Sequence, residues 1–288
     1  MEVYLSIVDK ILSEGVLKEN RTGVSAYTIA GEKFEHDMKN GFPLLTTKKM
    51  AFKSVLIELE GFLKGITDKK WYREKGCHIW DDWCNPKKVS YGHDEETKKK
   101  MFEERDLGPI YGWQWRHFGA EYMDYDINYT EKGIDQLGNL VKQLKNNPGD
   151  RRMIVSAWNP TDMHQMALPP CHYSFQVTVV DKKINLLWNQ RSVDTMLGLP
   201  FNIASYATLL HLLAKESKLG EGKLIGFLGD VHIYENHFAG AKEQLKRKPY
   251  ELPKVATEPF PTIFNWTFEN TKFEDYQFHP KISFPIAV

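Results

Sequence analysis

The clearest structural signal in the sequence is HYSFQVTVVDKKINLLWNQRSV, residues 172–193. Its two halves, 172–180 and 184–193, are rich in β-branched and aromatic residues, and the polar triplet 181–183 separates them. Such a pattern predicts a β-hairpin. Upstream, MIVSAW at 153–158 has the same character and predicts a further strand. The centre of the protein is therefore predicted to be a β-sheet.

Amphipathic segments on both sides of these strands predict helices. Residues 52–64 and 134–144 repeat apolar side chains at helical spacing, as do residues 4–12 near the N-terminus. Residues 203–214 are apolar on nearly every side, which is typical of a helix in the centre of a domain, and Asn202 is predicted to be its N-cap. Because helices and strands mix without regular alternation, we expect an α+β fold with a mixed or antiparallel sheet flanked by helices.

The chain has 288 residues, which we interpret as a single catalytic domain, 1–288. Residues 86–107 are mostly charged with only a weak apolar stripe, so we expect a surface insert there. Neither a glycine-rich dinucleotide loop nor a P-loop is present in the sequence.

Charge and cysteine content narrow the class of protein. Lys plus Arg and Asp plus Glu both total 38, which disfavours non-specific binding to DNA, RNA or a membrane surface. No apolar run approaches the roughly 18–20 residues of a membrane span, and the N-terminus lacks a signal-peptide pattern. Three cysteines are too few for a disulfide scaffold, so we expect a cytoplasmic protein.

Cys171 is a candidate nucleophile. It follows Pro169 and Pro170, which fix the chain just before a predicted strand. The alternative is a small core residue, the commoner role of a buried cysteine. His172 does not decide between them, because consecutive strand residues point to opposite faces. A nucleophilic Cys171 would need a cation, and Arg191 on the facing strand could supply it.

Four arginines occupy suggestive positions: Arg21, Arg151, Arg152 and Arg191. They are either surface and capping residues or a phosphate clamp, since guanidinium groups offer planar bidentate donors to an anion. Adjacent strand arginines face opposite ways, so one of the pair at 151–152 could serve a second copy of the chain.

Glu58 lies at the edge of an apolar helical stripe, where partial burial would raise its pKa and suit acid/base chemistry; the alternative is a solvated boundary residue. Trp80 and Trp83 either stack on a flat ligand or pack in the core. Cys77 and Cys84 lack the paired ligand spacing of a zinc site, so no metal is expected.

Seven motifs, in this order along nearly the whole chain, resemble those of folate-dependent thymidylate synthase. They are RTG (21–23), FPLLTTKK (42–49), LGPIYGWQWRHFGAEY (107–122), DRRMIVSAWNP (150–160), MALPPCH (166–172), QRSVDTMLGLPFNIASYATLLH (190–211) and GDVHIYENH (229–237). The resemblance implies a homodimer that converts dUMP to dTMP with 5,10-methylenetetrahydrofolate and no metal.

The resemblance also implies roles for individual residues. Cys171 would attack C6 of dUMP, Arg191 would lower its pKa and hold the phosphate, Glu58 would organise water for proton transfer, and Tyr111 would assist removal of the C5 proton. Asn202 would read the uracil edge, since an amide can both donate and accept. Further dUMP-binding residues would be Arg21, Gln190, Ser192, Asp194, His232 and Tyr234, with Arg151 and Arg152 supplied by the other subunit. The folate would contact Trp80, Trp83, Asp194, Leu197, Gly198, Phe201 and Ala287.

Two alternatives remain at this point. Where the family usually has an apolar residue and a tryptophan after Leu59, this chain has Glu60 and Gly61, and Asn189 replaces a usual tyrosine. A looser, wetter pocket would let water capture the reaction intermediate, and the protein would then be a dUMP hydroxymethylase. The other alternative is a non-catalytic nucleotide- or RNA-binding protein, which neutral charge and intact Cys171 disfavour.

Overall fold

The computed structural model of the chain describes residues 1–20 and 23–286. Arg21 of the expected phosphate clamp and Ala287 of the expected folate site lie outside the described residues. Within those ranges no helix is long and apolar enough to cross a membrane.

A six-stranded sheet forms the centre of the structure. Its strands are β1 (Val16–Lys18), β2 (Ala26–Asp37), β3 (Ile154–Ser156), β4 (His172–Val180), β5 (Lys183–Asp194) and β6 (Gly220–Tyr234). They lie in the order β1-β2-β6-β5-β4-β3, and β5 pairs with β6 in parallel while the other neighbours are antiparallel. A separate antiparallel pair joins β7 (Lys254–Thr257) to β8 (Thr271–Glu274). The predicted α+β class with a mixed sheet is confirmed.

Eight α-helices surround this sheet in the described part of the chain. They are α1 (Glu2–Glu14), α2 (Phe52–Lys64), α3 (Lys69–Glu74), α4 (Glu95–Glu103), α5 (Tyr111–His117), α6 (Gln136–Asn146), α7 (Gly198–Ser217) and α8 (Phe238–Leu245). Short 3-10 helices occupy Met38–Asn40, Met163–Gln165, Glu235–His237 and Phe268–Asn270.

The predicted hairpin is β4 and β5. Asp181 and Lys182 form its two-residue turn, and both have positive φ angles, 50° and 55°. Two consecutive left-handed residues match the right-handed twist of the flanking strands, so the turn sets the register in which Val180 faces Lys183. The strand predicted at 153–158 is shorter than expected: β3 is Ile154–Ser156, flanked by single backbone hydrogen bonds that join Met153 and Ala157 to β4.

Helix boundaries agree with the prediction for α2 and differ for α6 and α7. The α6 helix begins at Gln136, because the Asp135 carboxylate caps it by accepting the Gly138 N–H. Ile134, expected on its apolar face, instead bridges to Phe118 and is 55% exposed. The prediction that Asn202 is an N-cap is wrong, since α7 already begins at Gly198.

The long helix α7 lies in the centre of the molecule, as its apolar sequence predicted. It packs on β5 and β6 on one side and on α2 on another. Tyr206 of α7 stacks on Trp188 of β5, with ring centroids 5.4 Å apart and planes at 11°. Burying this helix against the sheet fixes the position of its first turn, which faces the candidate site.

The charged segment 86–107 is mostly exposed and carries α4. It is nevertheless attached firmly to the core. Met101 is buried, and its carbonyl accepts a hydrogen bond from the ammonium of Lys69, a side chain that is itself fully buried. The same ammonium donates to the carbonyls of Asp81 and Trp83. Lys69 thus joins the insert to the loop that carries the two predicted ligand-stacking tryptophans.

Candidate active site

A cavity of about 1160 Å³ opens where the parallel strands β5 and β6 both end, beside the first turn of α7. Fifteen residues predicted from the sequence line it: Glu58, Trp80, Trp83, Tyr111, Cys171, Gln190, Arg191, Ser192, Asp194, Leu197, Gly198, Phe201, Asn202, His232 and Tyr234. Arg151 and Arg152 are exposed before β3 and are not among the described residues that line it. The cavity exceeds the roughly 300–1,000 Å³ usual for a single-ligand pocket, so it has room for two ligands.

The backbone of Cys171 is held from two sides. Its N–H donates to the hydroxyl of Tyr111 at 2.9 Å, and its carbonyl accepts the N–H of Arg191 at 2.9 Å. The thiol is half-buried and lines the cavity, immediately before the β4 strand begins. These contacts place the sulfur where a bound molecule could meet it, and they favour the nucleophile over the core interpretation.

Arg191 lies alongside the Cys171 loop. Its guanidinium donates to the carbonyls of Pro169 at 2.9 Å and Pro170 at 3.0 Å, and it lies 5.6 Å from the ring of Trp158. A guanidinium carries five N–H donors, so these bonds leave capacity for an anion.

His172 is not a catalytic partner of Cys171. It points into the core, where its Nδ1 and the Tyr206 hydroxyl are hydrogen-bonded at 2.9 Å. Burial lowers the pKa of His172 to about 3, because the charged ring would lose its hydration. The ring therefore stays neutral near pH 7 and is a poor base.

Glu58 projects from α2 and is 8% exposed. Burial raises its pKa to about 7, because the carboxylate loses water without gaining an ionic partner that compensates. The indole N–H of Trp80 lies close enough to oppose this shift slightly, although no hydrogen-bond partner among the described residues meets that N–H in good geometry. A carboxyl group with this pKa can take up and release a proton at neutral pH.

Tyr111 begins α5 with a φ of 26°, a left-handed conformation that is strained for a tyrosine. Its ring stacks on Phe62, with centroids 4.9 Å apart, and lies 4.4 Å from the ring of His172. Burial and the nearby Cys171 raise the pKa of Tyr111 well above its ordinary value. The phenol consequently remains protonated, beside the cysteine it helps to position.

A relay of hydrogen bonds orients the amide of Asn202. Trp188 Nε1 donates to Gln190 Oε1 at 3.1 Å, and Gln190 Nε2 donates to Asn202 Oδ1 at 3.0 Å. Gln190 Nε2 also donates to the carbonyl of Ser192. With its oxygen engaged, Asn202 has its amide N–H groups and one lone pair left to recognise a ligand.

Asp230 is a functional candidate that the sequence analysis missed. Its carboxylate binds His232 Nδ1 at 2.9 Å and accepts from the ammonium of Lys18 at 2.7 Å. Burial opposes ionisation, but these two partners outweigh it and lower the pKa of Asp230. The motif GDVHIYENH already contained a signal, since alternate strand residues share a face and Asp230 precedes His232 by two positions.

One wall of the cavity is aromatic. Trp80 is 3% exposed and meets Tyr111 edge-on at 6.0 Å. Trp83 stacks on Tyr91, with centroids 5.6 Å apart and planes at 9°. Tyr91 also lines the cavity, although it belongs to the charged insert. The position of Tyr91 at the cavity could not be predicted locally, because the charged residues around it indicate exposure to solvent.

Asp194 joins the sheet to the start of α7. Its Oδ1 accepts the N–H groups of Met196 and Leu197, each at 3.0 Å, just before the helix begins. Asp194 therefore holds the turn that leads into α7, while the N-cap residue of the helix, Leu197, makes no side-chain capping hydrogen bond. This leaves Asn202 inside the first turns, with its amide in the cavity.

The three unusual residues at 60, 61 and 189 are not among the described residues that line the cavity. At Gly61 the space for a side chain is occupied by Tyr72, whose ring and hydroxyl atoms lie 2.2–2.4 Å from where a Cβ would be. Glu60 is buried but paired with Lys64. Asn189 donates to Ser174 Oγ at 3.2 Å. None of these contacts opens the cavity.

In the part of the chain that the structure describes, no group of three or more His, Cys, Asp or Glu residues is arranged to hold a metal ion. The polar groups of the described residues around the cavity are amides, hydroxyls, imidazoles, four separate carboxyl groups, the Lys18 ammonium and the Arg191 guanidinium. This set suits an organic ligand that carries hydrogen-bonding groups and negative charge.

Comparison with known proteins gives a consistent result. The family model described as thymidylate synthase matches residues 2–288. A bifunctional dihydrofolate reductase-thymidylate synthase from Paramecium tetraurelia is 44% identical over 285 residues, which is 99% of this chain and 61% of that protein. The chain thus spans less than two thirds of the length of this curated relative.

Proposed function

Because the chain belongs to the thymidylate synthase family, we propose that it is a methyltransferase that converts dUMP to dTMP. The co-substrate would be 5,10-methylenetetrahydrofolate. The observation that carries the proposal is the meeting of Cys171, Arg191, Glu58 and Asn202 in one cavity with room for two ligands. We further propose a single catalytic domain that acts in the cytoplasm.

The nucleotide would bind at the end of the cavity that contains Cys171. Arg191 and Ser192 line this end, and together with Arg21 they would hold the phosphate, since guanidinium and hydroxyl groups are good phosphate donors. Asn202 would bind the uracil edge, and the His232 and Tyr234 side chains would bind the ribose hydroxyl. Asp230 fixes the ring of His232 for that contact.

A homodimer would complete the phosphate site. Arg151 and Arg152 are exposed and lie outside the cavity of their own chain, so they are available to another copy. We propose that Arg151 and Arg152 of the partner subunit contact the same phosphate as Arg191. A dianionic phosphate among several arginines would be strongly bound, because each charge-assisted hydrogen bond is stronger than a neutral one.

The chemistry would begin at Cys171. Its thiolate adds to C6 of the pyrimidine, which turns C5 into a carbon nucleophile. Tyr111 assists removal of the C5 proton, and Glu58 organises the water that carries protons to and from the ring oxygen. The folate supplies both the one-carbon unit and a hydride, and it leaves as dihydrofolate. Elimination of the Cys171 thiolate then releases dTMP.

Transfer of the hydride requires that water be kept away from the exocyclic carbon. The walls near Trp80, Leu197 and Phe201 are apolar, and Trp80 is almost fully buried. We propose that these side chains, with Trp83, Asp194 and Gly198, hold the folate over the nucleotide. Ala287 near the C-terminus would complete the enclosure. Exclusion of water strengthens the electrostatic interactions inside and prevents hydrolysis of the intermediate.

Methylation is favoured over hydroxymethylation. The hydroxymethylase alternative required a looser pocket caused by Gly61 and Asn189, but Tyr72 fills the space at Gly61, and Asn189 binds Ser174. A non-catalytic role is disfavoured as well, because the geometry around Cys171, Tyr111 and Glu58 is suited to chemistry rather than to binding alone.

The experiment is incubation of the purified protein with dUMP and 5,10-methylenetetrahydrofolate. We expect dTMP by mass spectrometry and an equal amount of dihydrofolate by absorbance. The variant C171A should fold but lose turnover. The control is C84S, which alters a cysteine that does not line the cavity and should keep full turnover. Hydroxymethyl-dUMP without dihydrofolate, or full turnover by C171A, would overturn the proposal.

A further inference from the structure

A series of ring contacts and hydrogen bonds leads from the nucleophile to the charged insert. Tyr111 binds the Cys171 backbone and meets Trp80, and the Trp83 N–H donates to the Trp80 carbonyl at 3.1 Å. Trp83 in turn stacks on Tyr91. Exposure rises along this path, from 4% at Tyr111 to 40% at Tyr91. Tyr91 is therefore at the outer rim of the cavity.

The insert holds Tyr91 in this position by contacts on both sides of it. Lys88 donates to Asp124 at 2.7 Å and lies 3.3 Å from the carboxylate of buried Asp106. His93 meets the Tyr91 ring edge-on at 5.1 Å. Beyond these contacts, the buried ammonium of Lys69 ties the Trp83 and Met101 carbonyls together. The Trp83 and Tyr91 pair is thus a preformed surface.

We propose that Tyr91 is a further folate-binding residue, which forms with Trp83 a stacked aromatic wall at the outer end of the cavity. This inference rests on the proposed function. A nucleotide held at Cys171 leaves the outer part of the cavity to the longer co-substrate. The p-aminobenzoyl ring of a folate is flat, and flat rings pack well against aromatic surfaces. The insert therefore takes part in binding the co-substrate.

The test is steady-state kinetics of Y91A together with calorimetric titration of dihydrofolate into the dUMP-saturated protein. An aromatic contact of this kind is worth about a 3- to 10-fold change in affinity. We expect the folate KM and the dihydrofolate Kd to rise by that factor in Y91A, while kcat and the KM for dUMP change less than about twofold. Y91F keeps the ring, so it should recover most of the lost affinity.

The matched control is F102A. Phe102 is another exposed aromatic residue of the insert, packed under the Arg73 guanidinium at 3.8 Å, and it does not line the cavity. An unchanged folate KM and dihydrofolate Kd in Y91A would overturn the inference. Equal increases in the folate KM and the dihydrofolate Kd of Y91A and F102A would also overturn the inference, because they would indicate a general effect of disturbing the insert.

The calorimetric titration distinguishes failure of this inference from failure of the proposed function. A wild-type protein that binds dihydrofolate more tightly than Y91A, yet makes no dTMP, would support the Tyr91 contact and refute the proposed reaction. A wild-type protein that binds no dihydrofolate would refute both. If the wild type makes dTMP and Y91A has the same folate KM and dihydrofolate Kd as the wild type, only the Tyr91 contact is refuted.

Discussion

Replacing Glu58 by glutamine should stabilise the protein at alkaline pH and leave its stability at acidic pH nearly unchanged. The ordinary pKa of this group is 4.5, and burial raises it to about 7 in the folded protein. The folded state therefore holds the proton more tightly than the unfolded state. The stability that accompanies protonation is fully present below pH 4.5 and is lost as the pH rises through 7. Glutamine has the same shape and does not ionise.

The expected magnitude follows from the difference between the two pKa values. About 2.5 pH units, at about 1.4 kcal/mol per unit, give about 3 kcal/mol at pH 8. The contribution of Glu58 to the free energy of unfolding should change between pH 4.5 and pH 7. His172 also titrates differently in the two states, since burial lowers its pKa to about 3, and its effect on stability has the opposite sign. Only the difference between wild type and E58Q isolates the glutamate.

The assay is urea unfolding of wild type and E58Q at half-unit steps from pH 4.5 to 8.5. E58Q should match the wild type near pH 4.5 and exceed it by about 3 kcal/mol at pH 8, while losing about 10²- to 10⁴-fold in kcat because proton transfer is impaired. E103Q, on the exposed helix α4, is the control and should stay within about 0.5 kcal/mol of wild type. A difference between E58Q and wild type that does not vary with pH would refute the reasoning.

Two further predictions concern packing and orientation. G61A should lose about 1–3 kcal/mol in urea unfolding although alanine is the better helix former by about 1 kcal/mol, because its Cβ must displace the buried Tyr72 ring. G149A, where a Cβ meets only one atom, at 3.9 Å, is its control, and a G61A protein more stable than wild type would contradict the steric argument. D230N should raise the KM for dUMP about 3- to 10-fold and spare that for folate, because His232 loses a charged hydrogen-bond partner. Equal rises in both KM values would argue against a role confined to the nucleotide.

The sequence predicted those elements whose signals are local. The β4–β5 hairpin follows from alternation and a polar turn, and α2 follows from its apolar spacing. The start of α7 was misplaced because the continuous apolar run begins at Ile203 and the residue before it, Asn202, is of a type that often caps helices. Pro200 fits the first turn of the helix, where its missing N–H is not needed, and the turn before the helix is held by Asp194 at the end of β5.

Residues that depend on distant contacts could not be predicted in the same way. Tyr91 stands in a segment whose composition indicates solvent, and only its contact with Trp83 places it at the cavity. The alternation of Asp230 with His232 was a local signal, but the ion pair of Asp230 with Lys18, two strands away in the sheet, could not be inferred from spacing. Most of the catalytic candidates were identified from motifs that resemble those of a family. The spacing of apolar residues predicts only local helices and strands, and it does not show which distant residues meet in the folded protein.

Gly61 shows why a departure from a family pattern has to be judged together with its neighbours. Considered alone, a glycine in α2 removes a large ring and indicates a wetter pocket. In the structure Tyr72 is fully buried against that glycine, and its hydroxyl donates to the Ile66 carbonyl at 3.1 Å. The aromatic ring that fills this space therefore comes from α3 instead of α2. Because Trp80 remains buried beside Tyr111, this wall of the cavity stays closed at Gly61, which supports the proposed hydride transfer over capture of the intermediate by water.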